Sequence, residues 1–136
     1  MDNCIFCKIA AGEIPSNTVY EDNDFRVILD IAPANPGHCL ILPKSHCADI
    51  FEIDTELLGK AHKLAQRVAK ALVKAVNAEG VNILQNSGAA AGQTVSHYHI
   101  HIVPRHTGDS VVLNKEGNSL SDEEFAKIKE AITQEM

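Results

Sequence analysis

The stretch HYHIHIVPR, residues 97–105, places a histidine at every second position: His97, His99 and His101. The positions between them hold a tyrosine and an isoleucine, which are aromatic and β-branched residues that favour strands. Because successive side chains of a strand point to opposite faces, the segment predicts a strand with three imidazoles on one face. The opposite face is apolar and is expected to pack into a core.

Length and composition predict a single domain spanning residues 1–136. The chain is 45% hydrophobic, which is enough apolar material at this length to bury one core. It has no apolar run long enough to cross a membrane, so no membrane association is expected. The net charge is −6 and there is no basic block, which argues against nucleic-acid binding.

The cysteines indicate a reducing compartment. The chain has four of them, and its N-terminus lacks the basic head and long apolar stretch of a signal peptide. Disulfide frameworks are rare in such proteins, so the expected location is cytoplasmic. Cys39 and Cys47 lie in or beside apolar segments and are predicted to be small core residues. Cys4 and Cys7 form a C-x-x-C motif and need a separate explanation.

Five segments have the composition of strands: residues 18–21, 25–30, 38–43, 81–85 and 97–103. The turn EDND is typical of a hairpin between the first two, and APANPG separates the second from the third. One long helical pattern lies between the third and fourth segments. Its apolar residues recur at spacings of three and four and form one stripe: Leu57, Leu58, Ala61, Leu64, Ala65, Val68, Leu72 and Val76.

Capping residues predict where the helices begin and end. Asp54 suits the N-cap of the long helix, and Gly80 suits its stop. Ser121 stands three residues before Glu124, a capping box that predicts a second helix over residues 122–135. The apolar residues of this second helix share one side: Phe125, Ile128 and Ile132. The predicted fold is therefore α+β, a mainly antiparallel sheet packed against one long helix, with a C-terminal helix.

Three histidines on one strand face favour a functional site over a purely structural role. Burying them without partners would cost free energy for each unsatisfied ring nitrogen. Two interpretations are open: neutral imidazoles can converge on a metal ion, or one imidazole can act as a nucleophile. The preceding loop QNSGAAAGQTVS has glycines that let backbone N–H groups approach a phosphate, and hydroxyl groups that can also donate hydrogen bonds to it. Together, loop and strand suggest phosphate chemistry.

The segment GQTVSHYHIHIVPR resembles the motif of the histidine-triad (HIT) family, histidine–x–histidine–x–histidine with apolar residues between. The N-terminal stretch CIFCKIAAGEIPSNTVYEDNDFRVILDIAPANPGHCLILPKSH is similar to the branch often called Hint, or protein-kinase-C-interacting-protein-like. The resemblance covers nearly the whole chain. It implies a HIT-like fold and a homodimer joined through the long helix and a strand.

The resemblance also implies a reaction. In this family the middle histidine of the triad, here His99, attacks the α-phosphorus of a nucleotide and forms a covalent nucleotidyl-histidine intermediate. The chemistry is reasonable because a histidine with a pKa of about 6.5 is mostly neutral at pH 7 and hence nucleophilic. A two-step displacement also lets the leaving group depart before water enters.

Further site residues follow from the same resemblance. His101 is expected to contact the phosphate, and Thr94 stands where many relatives carry a serine that donates to phosphate. Gln93 and Asn86 match positions near the phosphate and ribose, and Asp30 matches a carboxylate that accepts hydrogen bonds from ribose hydroxyls. The base pocket is expected to be apolar, with three candidates: Phe25, Ile28 and Ile31.

The C-x-x-C motif is interpreted as half of a zinc site. Structural zinc takes four ligands, commonly a mixture of thiolates and imidazoles. The resemblance implies that Cys4 and Cys7 bind zinc together with His46 and His97, which leaves the other two triad histidines for chemistry. Such a site is closed and structural, and no catalytic metal is required.

The expected function is hydrolysis or transfer on purine nucleoside phosphoramidates or related adenylated compounds, with AMP or GMP released. One alternative keeps the same nucleophile but acts on dinucleoside polyphosphates. Another, of a different class, is a nucleotide-binding interaction module whose hydrolysis is incidental. The resemblance does not separate the two substrate classes, because the family contains both. The C-terminal region, which usually shapes the leaving-group side, departs here from the eukaryotic Hint pattern.

Overall fold

The computed structural model describes residues 3–113 and 117–136. Five strands form one antiparallel sheet in the order β1-β2-β3-β5-β4. The strands are β1 (Thr18–Glu21), β2 (Phe25–Leu29), β3 (Cys39–Pro43), β4 (Gly80–Leu84) and β5 (Ile100–Arg105), and the helices are α1 (Ile5–Ala10), α2 (Thr55–Val76) and α3 (Asp122–Glu135). The α+β class and the mainly antiparallel sheet predicted from the sequence are confirmed. Among the described residues, no helix has both the length and the apolarity that crossing a membrane requires.

The long helix α2 covers one face of the sheet through the predicted apolar stripe. All eight residues of the stripe belong to, or pack against, one core cluster that includes Tyr98, Ile100 and Ile102. Asp54 is the N-cap, and its carboxylate accepts a hydrogen bond from the Leu57 N–H at 3.1 Å. The periodicity of the sequence therefore predicted both the helix and the face that it buries.

The predicted stop of α2 at Gly80 is wrong. The helix ends at Asn77, which has φ 55° and ψ 43° and whose N–H donates to the Val73 carbonyl. Asparagine tolerates this left-handed conformation better than most residues, so it serves as the cap that was assigned to glycine. Gly80 instead begins β4.

The strand that carries the triad begins three residues later than predicted, at Ile100. Its pairing with β3 ends at the pair Ile41 and Ile100, so the residues before Ile100 are not paired with β3. The next residues of β3 lead to Pro43, which has no N–H to donate, and whose carbonyl is bonded to the His97 side chain at 2.8 Å. His97 and His99 therefore lie in the segment that leads into β5, and only His101 lies within the strand.

The short helix α1 packs on the other face of the sheet and was not predicted. It places Phe6, Ile9 and Ala10 against a second cluster formed by Ile28, Leu40 and Leu42. With six residues it is too short for a periodic pattern to identify. Leu40 pairs with His101 across the sheet, so this face is also where the triad histidines lie.

Candidate active site

The two cysteines of the C-x-x-C motif meet two histidines at the start of α1. Cys4, Cys7, His46 and His97 offer one ligand atom each, and these atoms all lie within 4.8 Å of one another. The Cys7 Sγ lies 3.2 Å from the His46 Nδ1 and 3.4 Å from the His97 Nδ1, and the Cys4 Sγ lies 3.4 Å from the same His97 atom. The structure thus brings together the four residues expected to bind zinc.

The donor set fits a tetrahedral zinc ion. In such a site, bond lengths near 2.3 Å to sulfur and 2.0 Å to nitrogen give sulfur–nitrogen edges of about 3.5 Å, close to the distances found here. The His97 Nε2 lies 2.8 Å from the Pro43 carbonyl oxygen, which can only accept, so the proton is on Nε2. The lone pair of Nδ1 therefore faces the thiols.

A backbone hydrogen bond orients the His99 ring. Its Nδ1 lies 2.6 Å from the backbone carbonyl of His97, and because a carbonyl can only accept, this nitrogen carries the proton. The Nε2 atom then holds the lone pair. The ring is 5% exposed and meets the edge of Phe6 at a centroid distance of 4.9 Å.

The third triad histidine belongs to a hydrogen-bonded chain that includes His38, a residue that sequence analysis did not single out. The Ala34 N–H donates to the His38 Nδ1 at 3.0 Å, so the proton of His38 is on Nε2. That Nε2 lies 3.0 Å from the His101 Nδ1 and 3.6 Å from the Asp30 carboxylate. The His101 Nδ1 is therefore an acceptor, and its Nε2 carries the proton.

Asp30, His38 and His101 are close enough to suggest a second metal site, since their ligand atoms also lie within 4.8 Å of one another. The hydrogen bonding argues against one. Because the Ala34 N–H donates to the His38 Nδ1, the ring proton is on Nε2. Metal ligation through Nε2 would require loss of that proton and would leave an imidazolate anion. The His38 Nε2–H instead donates to the His101 Nδ1 at 3.0 Å.

Burial keeps the triad histidines neutral. It is the main cause that lowers the pKa of His99, against the raising effects of the His97 carbonyl and of Asp30. Burial and the neighbouring His99 and His38 lower the pKa of His101 to about 4. The pKa of His38 is also lowered by burial, despite the opposing charge of Asp30. The site thus holds uncharged imidazoles at neutral pH.

We expect acid to destabilise the protein through His101. In the unfolded chain this histidine has a pKa of about 6.5, whereas in the folded chain it is about 4. Between these values the unfolded state binds the extra proton, so the free energy of unfolding falls as the pH falls from 6.5 towards 4. His101 alone accounts for about 2 kcal/mol between pH 7 and pH 5. Urea titrations at the two pH values measure the loss.

The matched comparison is His101→Gln, which removes the titrating group and leaves the cluster of Cys4, Cys7, His46 and His97 unchanged. Its loss of stability between pH 7 and pH 5 should be smaller than that of the unaltered chain by about 2 kcal/mol. Equal losses in both proteins would show that His101 does not titrate as its burial indicates.

The remaining predicted site residues lie on the loop between β4 and β5. Gln93 fixes this loop: its amide nitrogen donates to the Ala48 and Val95 carbonyls, and its oxygen accepts from the Gly88 N–H. Gly88 and Gly92 both have φ 94°, a conformation that favours glycine. In the described part of the chain, Asn86, Gln93 and Thr94 make no hydrogen bond with the triad, so their contacts with a ligand stay predictions.

The apolar surface next to the triad differs from the one expected. Phe25 is 2% exposed and belongs to the core under α2, on the opposite face of the sheet, so its assignment to a base pocket is wrong. Ile28 does lie on the α1 side, and Ile31 is exposed beside Asp30. Phe6 was missed because the helix that places its ring against His99 was not predicted.

Comparison with known proteins gives one consistent family. The sequence model of the HIT domain matches residues 11–108. The protein named Protein hit from Bacillus subtilis is 37% identical over 138 residues, covering 99% of this chain and 95% of that protein. Adenylylsulfatase HINT3 from Arabidopsis thaliana is 41% identical over 108 residues, covering 79% of this chain and 55% of that protein.

Solved structures share the fold over almost the whole chain. The crystal structure of SMU.412c from Streptococcus mutans UA159 has a TM-score of 0.94 at 38% identity, covering 99% of this chain and 86% of that one. A Zn-bound histidine triad family protein from Mycobacterium smegmatis has a TM-score of 0.79 at 36% identity, with coverages of 98% and 95%. A histidine triad nucleotide-binding protein from Candida albicans has a TM-score of 0.87 at 33% identity, with coverages of 98% and 96%.

Proposed function

The chain belongs to the HIT domain family, whose members are generally nucleotide hydrolases, and on that premise we propose that it releases nucleoside monophosphates from purine nucleoside phosphoramidates or related adenylated compounds. His99 is the proposed nucleophile. The observation that carries the proposal is the hydrogen bond from its Nδ1 to the His97 carbonyl, which leaves a neutral ring with a lone pair on Nε2. An oriented neutral imidazole of this kind is ready to attack a phosphorus atom.

The proposed reaction has two balanced steps. In the first, the His99 Nε2 forms a bond to the α-phosphorus, the bond from phosphorus to the leaving group breaks, and the leaving group takes up a proton. In the second, water forms a bond to phosphorus and loses a proton to solvent, which balances the proton taken up by the leaving group, while the nitrogen–phosphorus bond breaks and the monophosphate departs. The ring becomes positively charged in between, and the His97 carbonyl at 2.6 Å stabilises that charge.

The hydrogen bond from His38 to His101 supports a phosphate-binding role for His101. Because the His38 Nε2–H donates a hydrogen bond to the His101 Nδ1, the proton of His101 is on Nε2. This Nε2–H is available to donate to a phosphate oxygen. One Asp30 oxygen accepts from the Ala32 N–H at 2.9 Å, and the other is proposed to accept from ribose hydroxyls. Asn86, Gln93 and Thr94 complete the proposed substrate-binding set on the loop.

Zinc is proposed to be structural. When bound, it would join the N-terminal segment to the segment that leads into β5, and it would not activate water because all four positions are filled by Cys4, Cys7, His46 and His97. We also propose that the reaction needs no catalytic metal, since His99 is itself the nucleophile. The four cysteines form no disulfide, and two of them are proposed zinc ligands, which suits a reducing compartment, so the cytoplasm is the proposed location.

The experiment that tests this function compares three compounds that share an AMP group: an adenosine phosphoramidate, a diadenosine polyphosphate and an adenylyl sulfate. We expect AMP release to be fastest from the phosphoramidate, without added divalent cation. Rapid acid-free quenching followed by mass spectrometry should find an adenylyl group on the peptide that contains His99.

The other outcomes are equally specific. Preference for the diadenosine compound would assign the second substrate class and keep the nucleophile. AMP binding with no turnover of any of the three would indicate an interaction module. A requirement for added divalent cation, or an adduct on a different residue, would contradict the proposed mechanism.

A further inference from the structure

The carboxylate of Asp109 is the centre of a hydrogen-bonded network just beyond the end of β5. The Arg105 guanidinium donates to it through Nε at 2.9 Å and Nη2 at 2.8 Å, and the backbone N–H groups of His106 and Val111 donate at 2.9 and 3.2 Å. A fifth hydrogen bond comes from the Asn35 side chain at 2.9 Å. These donors, the Arg105 guanidinium first, hold the pKa of Asp109 well below its usual range. Asp109 is therefore an ionised acceptor held in one position.

Asn35 connects this network to the loop between β2 and β3, residues 30–38. Its amide nitrogen has two hydrogens, and both are used: one bonds to the Asp109 carboxylate, and the other bonds to the Pro104 carbonyl at 2.8 Å. Both partners can only accept, so the orientation of the amide is fixed. The preceding residues, 31–34, are exposed. Asn35 therefore ties an otherwise exposed part of the loop to β5 and to the segment that follows it.

The loop in turn holds His38 through two hydrogen bonds. The Asn35 carbonyl accepts from the His38 backbone N–H at 3.0 Å, and the Ala34 N–H donates to the His38 Nδ1 at 3.0 Å. Because Ala34 and Asn35 are adjacent in the chain, a displacement of Asn35 would move both contacts. His38 is buried, and its Nε2–H donates to the His101 Nδ1 at 3.0 Å. The bond between the two rings therefore depends on the position of the loop.

We propose that Asp109 and Asn35 are positioning residues of the candidate active site: they hold the loop so that the His38 Nε2–H points at His101. Both act through His38 and not by contact with the substrate. An exposed loop without this anchor opens more often, and each opening breaks the bond that orients the His101 ring. The positioning of His38 is independent of catalysis. Its consequence for the rate rests on the proposed function, in which His101 donates to phosphate.

Exchange of ring protons with water, measured by NMR on the full chain, tests this positioning. The His38 Nε2 proton is buried and hydrogen-bonded, so it exchanges only when the loop opens. We expect Asn35→Ala and the isosteric Asp109→Asn each to accelerate its exchange by at least about tenfold, because each removes or weakens a bond to a charged group. The His99 Nδ1 proton, which bonds to the His97 carbonyl, should exchange at an unchanged rate. This internal reference distinguishes local release of His38 from a general loss of stability.

Asn82→Ala serves as the control variant. The Asn82 side chain lies on β4 and accepts from the Arg105 guanidinium at 2.8 Å, so this change removes a bond to the same network without touching the loop. It should leave His38 exchange unchanged. The double variant of Asn35→Ala and Asp109→Asn should exchange no faster than the faster single variant, because both changes break the same connection. Unchanged His38 exchange in Asn35→Ala, or equal acceleration in Asn82→Ala, would overturn the proposal.

The rate of AMP release from an adenosine phosphoramidate gives a second readout. Asn35→Ala and Asp109→Asn should each lower this rate by about tenfold, because a loosely held donor stabilises charge on the phosphate less well. Asn82→Ala should keep the normal rate. Normal rates in all three variants would overturn the link between His38 and catalysis. If the unaltered chain released no AMP, the proposed function would fail, and the ring-proton exchange would still decide whether Asp109 and Asn35 position His38.

Discussion

Replacement of His99 by alanine is expected to lower the rate of AMP release from an adenosine phosphoramidate by at least about 10³-fold, because the attacking nitrogen is lost. The covalent adduct should disappear with it. Affinity for AMP should change little, since the proposed ribose and phosphate contacts come from Asp30, His101 and the loop between β4 and β5. Steady-state kinetics, the quenched mass spectrum and calorimetric AMP titration give the three readouts.

Two further variants make this result interpretable. His99→Gln keeps most of the side-chain volume in a site where His99 is 5% exposed, so a loss of activity in both variants is not a consequence of a cavity. His62→Ala removes an exposed histidine of α2 and should leave the rate unchanged. An adduct that persists in His99→Gln would show that another residue is the nucleophile.

Loss of the zinc site is expected to have the largest effect on stability. Purified protein should contain one zinc per chain, and Cys4→Ser should contain none. We expect the variant to lose at least about 3 kcal/mol of unfolding free energy and roughly 10 °C in Tm, because the site would join three chain segments that lie far apart in sequence. Metal analysis by mass spectrometry and thermal unfolding measure the two effects.

Cys47→Ala is the matched control for the zinc site. It also removes a thiol, and its position directly follows His46, but its sulfur is outside the four-residue cluster. It should keep the metal. Zinc-free protein purified without chelator, or full zinc content in Cys4→Ser, would contradict the assignment. Because the His97 backbone carbonyl holds His99, we also expect slower catalysis in Cys4→Ser at temperatures where it remains folded.

Much of the fold could be predicted from local patterns. The strand at residues 18–21, the apolar stripe of α2, its Asp54 cap and the capping box of α3 all occur where the sequence places them. Each depends on spacings within one or two turns or on alternation along one strand, so a short window of sequence contains the information. The Gly80 stop failed because an asparagine supplied the same conformation three residues earlier.

The candidate site was only partly predictable. The triad spacing singled out His97, His99 and His101 as a candidate site, and the C-x-x-C motif singled out two members of the four-residue cysteine–histidine cluster. His38 gave no local signal beyond standing at the start of a strand. Its importance arises from a hydrogen bond to His101, 63 residues away, and nothing in the sequence around either residue indicates that contact.

The sequence by itself determined the types and order of the five strands and the two longer helices, and the chemistry of the side chains available. Tertiary structure decided which of those side chains meet and which ring nitrogens carry protons. The pairing of β3 with β5 brings His38 to His101 and brings the Pro43 carbonyl to His97. The Pro43 carbonyl fixes the tautomer of His97, and His38, whose own proton is placed by the Ala34 N–H, fixes that of His101. Such bonds depend on strands distant in sequence becoming neighbours, and local sequence patterns hold no record of them.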